Sequence, residues 1–164
     1  ESKMFEKYGE FDSAEEINEC AAGLKDEGDE ESLYAMAEEN GIDKADVEDY
    51  LGDCMEELCN PLIAAIGKLE TEAKELKVQQ IMVDWVTYIN TQCIKDEQMA
   101  RAVRKKGKSL KGCMGAILKE SFAHQMQIDK DIIKAAGVNA GEVTLGIPGM
   151  ARVNEIIKYY YLGK

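Results

Sequence analysis

The sequence of 164 residues has little of several features that would point to a particular class of protein. It has two prolines, one histidine and 7% aromatic residues, and alternating runs of β-branched residues are scarce. No apolar run approaches the roughly 18–20 residues of a membrane-spanning helix. No secretory signal opens the chain, and its five cysteines lack the spacing of a disulfide framework. These absences favour a cytoplasmic protein with reduced thiols and without a membrane segment.

The residues that are abundant predict an all-α fold. Hydrophobic residues make up 45% of the chain, which is enough to form a core, and they recur at helical spacing almost throughout. Capping signals at Ser13, Asp29, Asp43 and Asn60-Pro61 mark predicted helix starts. We therefore predict a multi-helix bundle with a small acidic N-terminal helical lobe.

Charge divides the chain into an acidic beginning and a mildly basic remainder. Residues 1–60 hold 21 Asp and Glu against 4 Lys and Arg, a net charge of −17, whereas residues 61–164 carry +5. Because composition and charge both change near Asn60, we predict a lobe over 1–57 and a helical core domain over 58–164. Trp85, on an apolar stripe of the second region, is predicted to pack in the core.

The acidic lobe has two interpretations, a solvated surface or an imitation of a nucleic-acid backbone. DNA carries about one negative charge per 1.7 Å of its axis, so a dense array of carboxylates can compete for a basic channel. The lobe also contains a helix-turn-helix-like hairpin, whose acidic second helix would repel phosphates and so favours a protein partner. The predicted protein-binding residues are Asp26, Glu27, Asp29, Glu30, Glu31, Glu38, Glu39, Asp46, Glu48 and Asp49.

A basic turn at residues 101–111 is the one concentration of positive charge. It contains no acidic residue, and its cations can contact phosphates without reading sequence. The alternatives are charge complementarity with the acidic lobe or the ordinary basic end of a helix. The predicted nucleic-acid-binding residues are Arg101, Arg104, Lys105, Lys106, Lys108 and Lys111.

Candidate catalytic residues are few. His124 has no legible nucleophile or carboxylate partner, and the glycines of 137–149 match no phosphate-loop motif. The cysteine spacing does not suit a zinc site. We predict no catalytic, cofactor or metal site, with an unrecognised enzyme near His124 or the glycine loop as the remaining alternative.

Several segments carry a resemblance to a known group of proteins. KKGKSLKGCMGAIL, DKDIIKAAGV and LGIPGMARVNEIIKYYYL, with FEKYGEFDSAEEINE and AEENGIDKADVEDYLGD, resemble small phage and plasmid proteins of gut Clostridia. These are anti-CRISPR inhibitors of type II systems, in the neighbourhood of the PcfK-like families. The similarity covers nearly the whole chain, but none of its segments is the signature of a chemistry.

The resemblance implies a phage or mobile-element protein that acts in the bacterial cytosol. Its partner would be the type II CRISPR effector nuclease with its guide RNA, inhibited by stoichiometric binding as a DNA mimic. The alternative is a nucleic-acid-binding accessory protein of a mobile element, which would use the basic turn for weak, sequence-independent contact. The sequence leaves open whether the chain forms a homodimer.

Overall fold

The fold is known from a computed structural model, which describes residues 4–164. Over those residues the chain is all-α apart from two strands of two residues each, which confirms the predicted fold class. No helix in the described range is long and apolar enough to cross a bilayer. In chain order the elements are α1 Ala14–Asp26, α2 Glu30–Glu39, α3 Lys44–Leu51, α4 Pro61–Glu75, α5 Ile81–Lys95, α6 Glu97–Arg104, α7 Leu110–Ala123, β1 Met126–Gln127, α8 Lys130–Ala135, β2 Thr144–Leu145 and α9 Met150–Leu162.

Several helices begin at the capping residues that the sequence predicted. The side chains of Ser13, Asp29 and Asn60 accept hydrogen bonds from the backbone N–H groups at the starts of α1, α2 and α4. Each bond satisfies a donor that a helix start leaves without an intrahelical partner. Asp43 stands at the N-cap of α3 but makes no capping bond through its side chain.

The first compact unit is Glu1–Lys111, and its core joins the acidic helices to α4. Leu33, Met36 and Val47 are fully buried in one cluster together with Ile17 of α1. The same unit contains α5 and α6, which pack on each other and on α4. Trp85 of α5 is buried, as predicted for a core residue.

The boundary between the two compact units differs from the boundary that the change in charge predicted. The predicted boundary at 57 and 58 lies inside the first unit, and the second unit is Gly112–Lys164. Leu58, Cys59 and Ala64 belong to the same buried cluster as the acidic helices. Surface charge marked the boundary in the sequence, whereas shared apolar burial holds the acidic helices and α4 in one unit.

Two glycines allow the turn between α2 and α3 to lie directly against α4. Gly41 has a φ of +70°, and the carbonyl group of Gly67 occupies the space that a Cβ atom of Gly41 would need. In turn, the carbonyl oxygen of Asn40 occupies the space that a Cβ atom of Gly67 would need. The acidic hairpin is thus seated on α4 through contact between backbones.

We expect Gly67→Ala to destabilise the first unit because backbone atoms must move to admit the methyl group. Overpacking of this kind costs about 1–3 kcal/mol. Urea unfolding followed by the fluorescence of Trp85, the single tryptophan, measures the loss. Gly23→Ala in α1 is the matched control, since its Cβ would meet nothing within 4 Å, and it is expected to stabilise the helix. Equal stabilities for both variants would show that the contact between the hairpin and α4 is loose.

The second unit combines helices with a short antiparallel pair of strands. Met126 of β1 lies opposite Leu145 of β2, and Gln127 lies opposite Thr144. The helices α7 and α9 are linked by the Arg152 guanidinium, which lies 2.9 Å from a carboxylate oxygen of Glu120.

Candidate protein-binding surface and basic turn

The acidic surface, as we name the ten carboxylates predicted to bind protein, is largely exposed. It lies on α2, on α3, on the last residue of α1 and on the connection that follows α1. All of these helices belong to the first unit, so a shared core holds the carboxylates in place. The exposed members are Asp26, Glu27, Glu30, Glu31, Glu38, Glu48 and Asp49.

The three remaining members of the acidic surface are half-buried, and two have structural partners. Asp29 accepts the N–H of Ser32 at 3.1 Å as the cap of α2. Glu39 accepts the backbone N–H groups of Lys7 and Tyr8 at 3.2 and 3.0 Å, which fixes the N-terminal segment against α2. Desolvation raises the pKa of the Asp46 carboxyl, and neighbouring carboxylates raise it further.

Cations within the lobe offset little of its negative charge. Residues 1–57 hold 21 Asp and Glu but only four bases, of which Lys25 and Lys44 lie among the helices. The Lys25 ammonium lies 2.7 Å from a carboxylate oxygen of Asp53 and donates to the carbonyl oxygen of Tyr50. The Lys44 ammonium lies over the ring of Tyr34, 5.9 Å from its centre. The lobe therefore keeps a strongly negative surface.

A groove of about 750 Å³ opens between α2 and α3 beside α4. Tyr34 and Ile42 contribute apolar wall, Lys44 contributes one cation, and four carboxylates line the remainder. Such a groove suits the long side chain of a lysine or arginine, whose stem packs on apolar surface while its charge meets carboxylates. The acidic residues lining it are Glu38, Asp43, Glu48 and Glu70.

Arg104 must be withdrawn from the predicted nucleic-acid-binding residues because it is buried. Its side chain is 1% exposed and lies in the first unit's interior. The guanidinium donates to the carbonyl oxygens of Phe11 and Ala64 and, at 2.8 Å, to the side-chain oxygen of Asn40. It also lies over the ring of Phe5. A group with these internal partners is not available to a phosphate.

Arg101 and Lys106 link the basic turn to the start of α1. The Arg101 guanidinium lies 2.9 Å from a carboxylate oxygen of Glu15, and the backbone N–H of Lys106 donates to Asp12 at 2.9 Å. The acidic and basic parts of the sequence thus contact each other within the first unit. For Arg101, this contact favours the charge-complementarity interpretation.

Lys68 organises the basic turn, and the sequence analysis did not identify it. Its ammonium donates to the carbonyl oxygens of Arg104, Lys105 and Lys108, at 3.3, 3.0 and 2.7 Å. It also lies 2.8 Å from a carboxylate oxygen of Glu10. No apolar pattern marked Lys68 in the sequence; in the structure it lies on the buried side of α4 with Ala65 and Glu72, where a charge needs several partners.

Glu72 lies one turn after Lys68 and holds the other end of the basic turn. Its carboxylate accepts the N–H of Leu110, the first residue of α7, at 2.7 Å. Burial raises the pKa of Glu72, against the lowering effect of that hydrogen bond and of the Lys68 charge. The turn is held from within, while the side chains of Lys105, Lys106 and Lys111 are exposed and that of Lys108 is half-buried.

The cysteines differ sharply in burial, which predicts their reactivity. The five cysteines, all within the described residues, form no disulfide, and Cys54 is exposed. Burial raises the pKa of Cys59 and of Cys93 to about 12, so neither forms thiolate at neutral pH. We expect one rapidly reacting thiol per folded chain toward Ellman's reagent, slower reaction of the half-buried Cys20, and reaction of the three buried thiols only upon unfolding. Cys54→Ser should remove the rapid phase; two or more rapid thiols would show local opening of the core.

The remaining candidates for chemistry are sparse in the described residues. The side chain of His124 is 69% exposed and lies 3.8 Å from the Glu120 carboxylate. Residues 4–164 contain no group of three or more side chains placed to hold a metal ion.

Comparison with known protein families, with curated proteins and with solved structures finds no match to this chain.

Proposed function

We propose that this chain is an anti-CRISPR protein that inhibits the RNA-guided type II CRISPR effector nuclease. It binds the effector at a one-to-one ratio, without catalysis, through the acidic surface. The carboxylates take the place of phosphates in the basic channel that receives the guide–target heteroduplex or the adjoining duplex. The resemblance over nearly the whole sequence suggests this partner, and the surface chemistry of the first unit supports it.

The observation that carries the proposal is the set of seven exposed carboxylates on three helices of one core and the connection between two of them. A disordered acidic tail would lose conformational entropy on binding, whereas helices that already share a core lose less. The groove between α2 and α3 adds a place where a cationic side chain of the channel can insert. Both features favour a basic protein surface over a nucleic acid as the partner of this face.

A cleavage titration tests the proposal. Guide-loaded type II effectors are mixed with rising amounts of the chain, and target cleavage and target binding are followed together. We expect cleavage to stop near an equimolar ratio, with inhibition weakening steeply as salt is raised. Full cleavage by several effectors at large excess of the chain would overturn the proposal.

The second candidate is a nucleic-acid-binding accessory protein, and the exposed lysines of the basic turn support it. Lys68 and Glu72 hold the turn in place, so Lys105, Lys106 and Lys111 can present their charges to a phosphate backbone. This candidate requires the isolated chain to bind DNA or RNA.

Charge reversal at the basic turn separates the two candidates. We expect the triple variant Lys105→Glu, Lys106→Glu and Lys111→Glu to keep inhibition within about twofold, since exposed charges outside an interface contribute little. Arg104 is left unchanged because its replacement would damage the core. Gel shifts with labelled duplex DNA and RNA measure direct binding. Tight binding by the native chain that the variant abolishes would favour the accessory protein instead.

A further inference from the structure

The second unit exposes large apolar side chains around the end of α7. Leu118, Phe122, Met126, Leu145 and Ile147 are each exposed over more than half of their surface. We name these five residues the apolar patch. So many exposed large apolar side chains on a unit of 53 residues are typical of an interaction site.

Contacts between α7 and the strand segment bring the members of the patch together. The backbone of Gly146 lies directly against the carbonyl group of Ser121, in the last turns of α7. Leu145 and Ile147 flank Gly146 in the chain, and Phe122 follows Ser121. The contact therefore places these residues in one neighbourhood, with Leu145 and Ile147, which alternate with Gly146 along the extended chain, on the strand face turned away from Ser121.

The other two members extend the patch on either side of Phe122. Met126 pairs directly with Leu145 across the two strands, so both side chains lie on the same face of the strand pair. Leu118 precedes Phe122 by four residues and lies on the same side of the helix. At roughly 100 Å² or more of exposed area each, the five residues offer on the order of 600 Å² of apolar surface.

From this area and from the charge distribution, we infer that the patch is the interface of a symmetric homodimer. A standard interface buries about 800 Å² on each partner, of which the patch supplies the apolar centre. The second unit holds six Lys and Arg against five Asp and Glu, a net charge of +1, so two copies meet through it with little repulsion. The first unit carries the remaining −13 and would repel its own copy. A two-fold axis at the patch buries the same residues on both chains.

This inference does not depend on the proposed function, and sedimentation equilibrium of the purified full chain tests it. We expect a mass of twice 18.2 kDa at micromolar concentration. Phe122→Glu is expected to weaken the dimer by roughly 100-fold or more, because symmetry introduces two carboxylates into one apolar interface. Leu145→Glu, on the strand side of the patch, should have the same effect and guards against a helix defect in the first variant.

Ile94→Glu provides the control, since Ile94 is an exposed apolar residue of α5 in the first unit, at 65% exposure. It should sediment as the native dimer does, and far-UV circular dichroism should show native helix content in all three variants. A native chain that sediments at the monomer mass throughout would overturn the inference. A dimer that survives both patch variants would overturn it as well.

Discussion

Replacing Arg104 with methionine is expected to destabilise the first unit by about 3 kcal/mol or more, because three acceptors lose their donor at about 1–3 kcal/mol for each one left buried and unsatisfied. The guanidinium satisfies acceptors from three separate parts of the chain, at Phe11, Asn40 and Ala64. Methionine keeps part of the side-chain volume but leaves those oxygens without donors inside the core. Urea unfolding followed by the fluorescence of Trp85 measures the change.

Lys105→Met is the matched control because it makes the same substitution at the next residue, whose side chain is exposed. A change of at most about 0.5 kcal/mol is expected there. If the two variants unfolded at the same urea concentration, Arg104 would not hold the N-terminal segment to α4 in solution. The predicted role of this arginine as a phosphate ligand would then return to consideration.

Neutralising the exposed carboxylates is expected to abolish inhibition of the effector. The variant replaces Glu30 and Glu31 with glutamine at the start of α2, and Glu48 and Asp49 with their amides on α3. Each carboxylate in contact with a basic channel contributes about 1 kcal/mol or more at low salt, so losing four should weaken inhibition by roughly 100-fold or more. The concentration that halves target cleavage measures the effect.

A control variant with the same change in net charge separates a specific surface from general attraction. It replaces Glu75, Asp84, Asp131 and Glu142, which are exposed residues outside the acidic surface, with their amides. Both variants remove charge from helix first turns, so their effects on helix stability are comparable. Equal losses of inhibition would mean that only net charge matters and that the acidic surface is not the binding site.

Local chemistry allowed most of the helices to be predicted from the sequence. Ser13, Asp29 and Asn60 have side chains that cap helix starts wherever the following residues can be helical, and they cap helices in the structure. Apolar spacing likewise predicted burial of Trp85. Such signals act within one or two turns of the chain, so they can be read without knowledge of the fold. The strand β1 was missed because its pairing with β2 joins residues 17 and 19 positions apart.

The buried ionic network could not be predicted because its members lie far apart in the sequence. Arg104 and Asn40 are 64 positions apart, and Lys68 meets carbonyl groups 36 to 40 positions away. In the sequence, Arg104 stands among exposed cations, and only its packing distinguishes it from Lys105. The exposure of the acidic residues was easier to predict, since most charged side chains are exposed, and seven of the ten are.

The most direct test of the proposed function asks whether the chain and target DNA compete for one site on the effector. The affinity of the labelled chain for a guide-loaded effector is measured by fluorescence anisotropy, before and after saturation with uncleavable target duplex. We expect tight binding to the DNA-free effector and a loss of at least about 100-fold once the channel is filled, as for ligands that share a site. Unchanged affinity in the presence of target DNA would show that the acidic surface does not occupy the nucleic-acid channel.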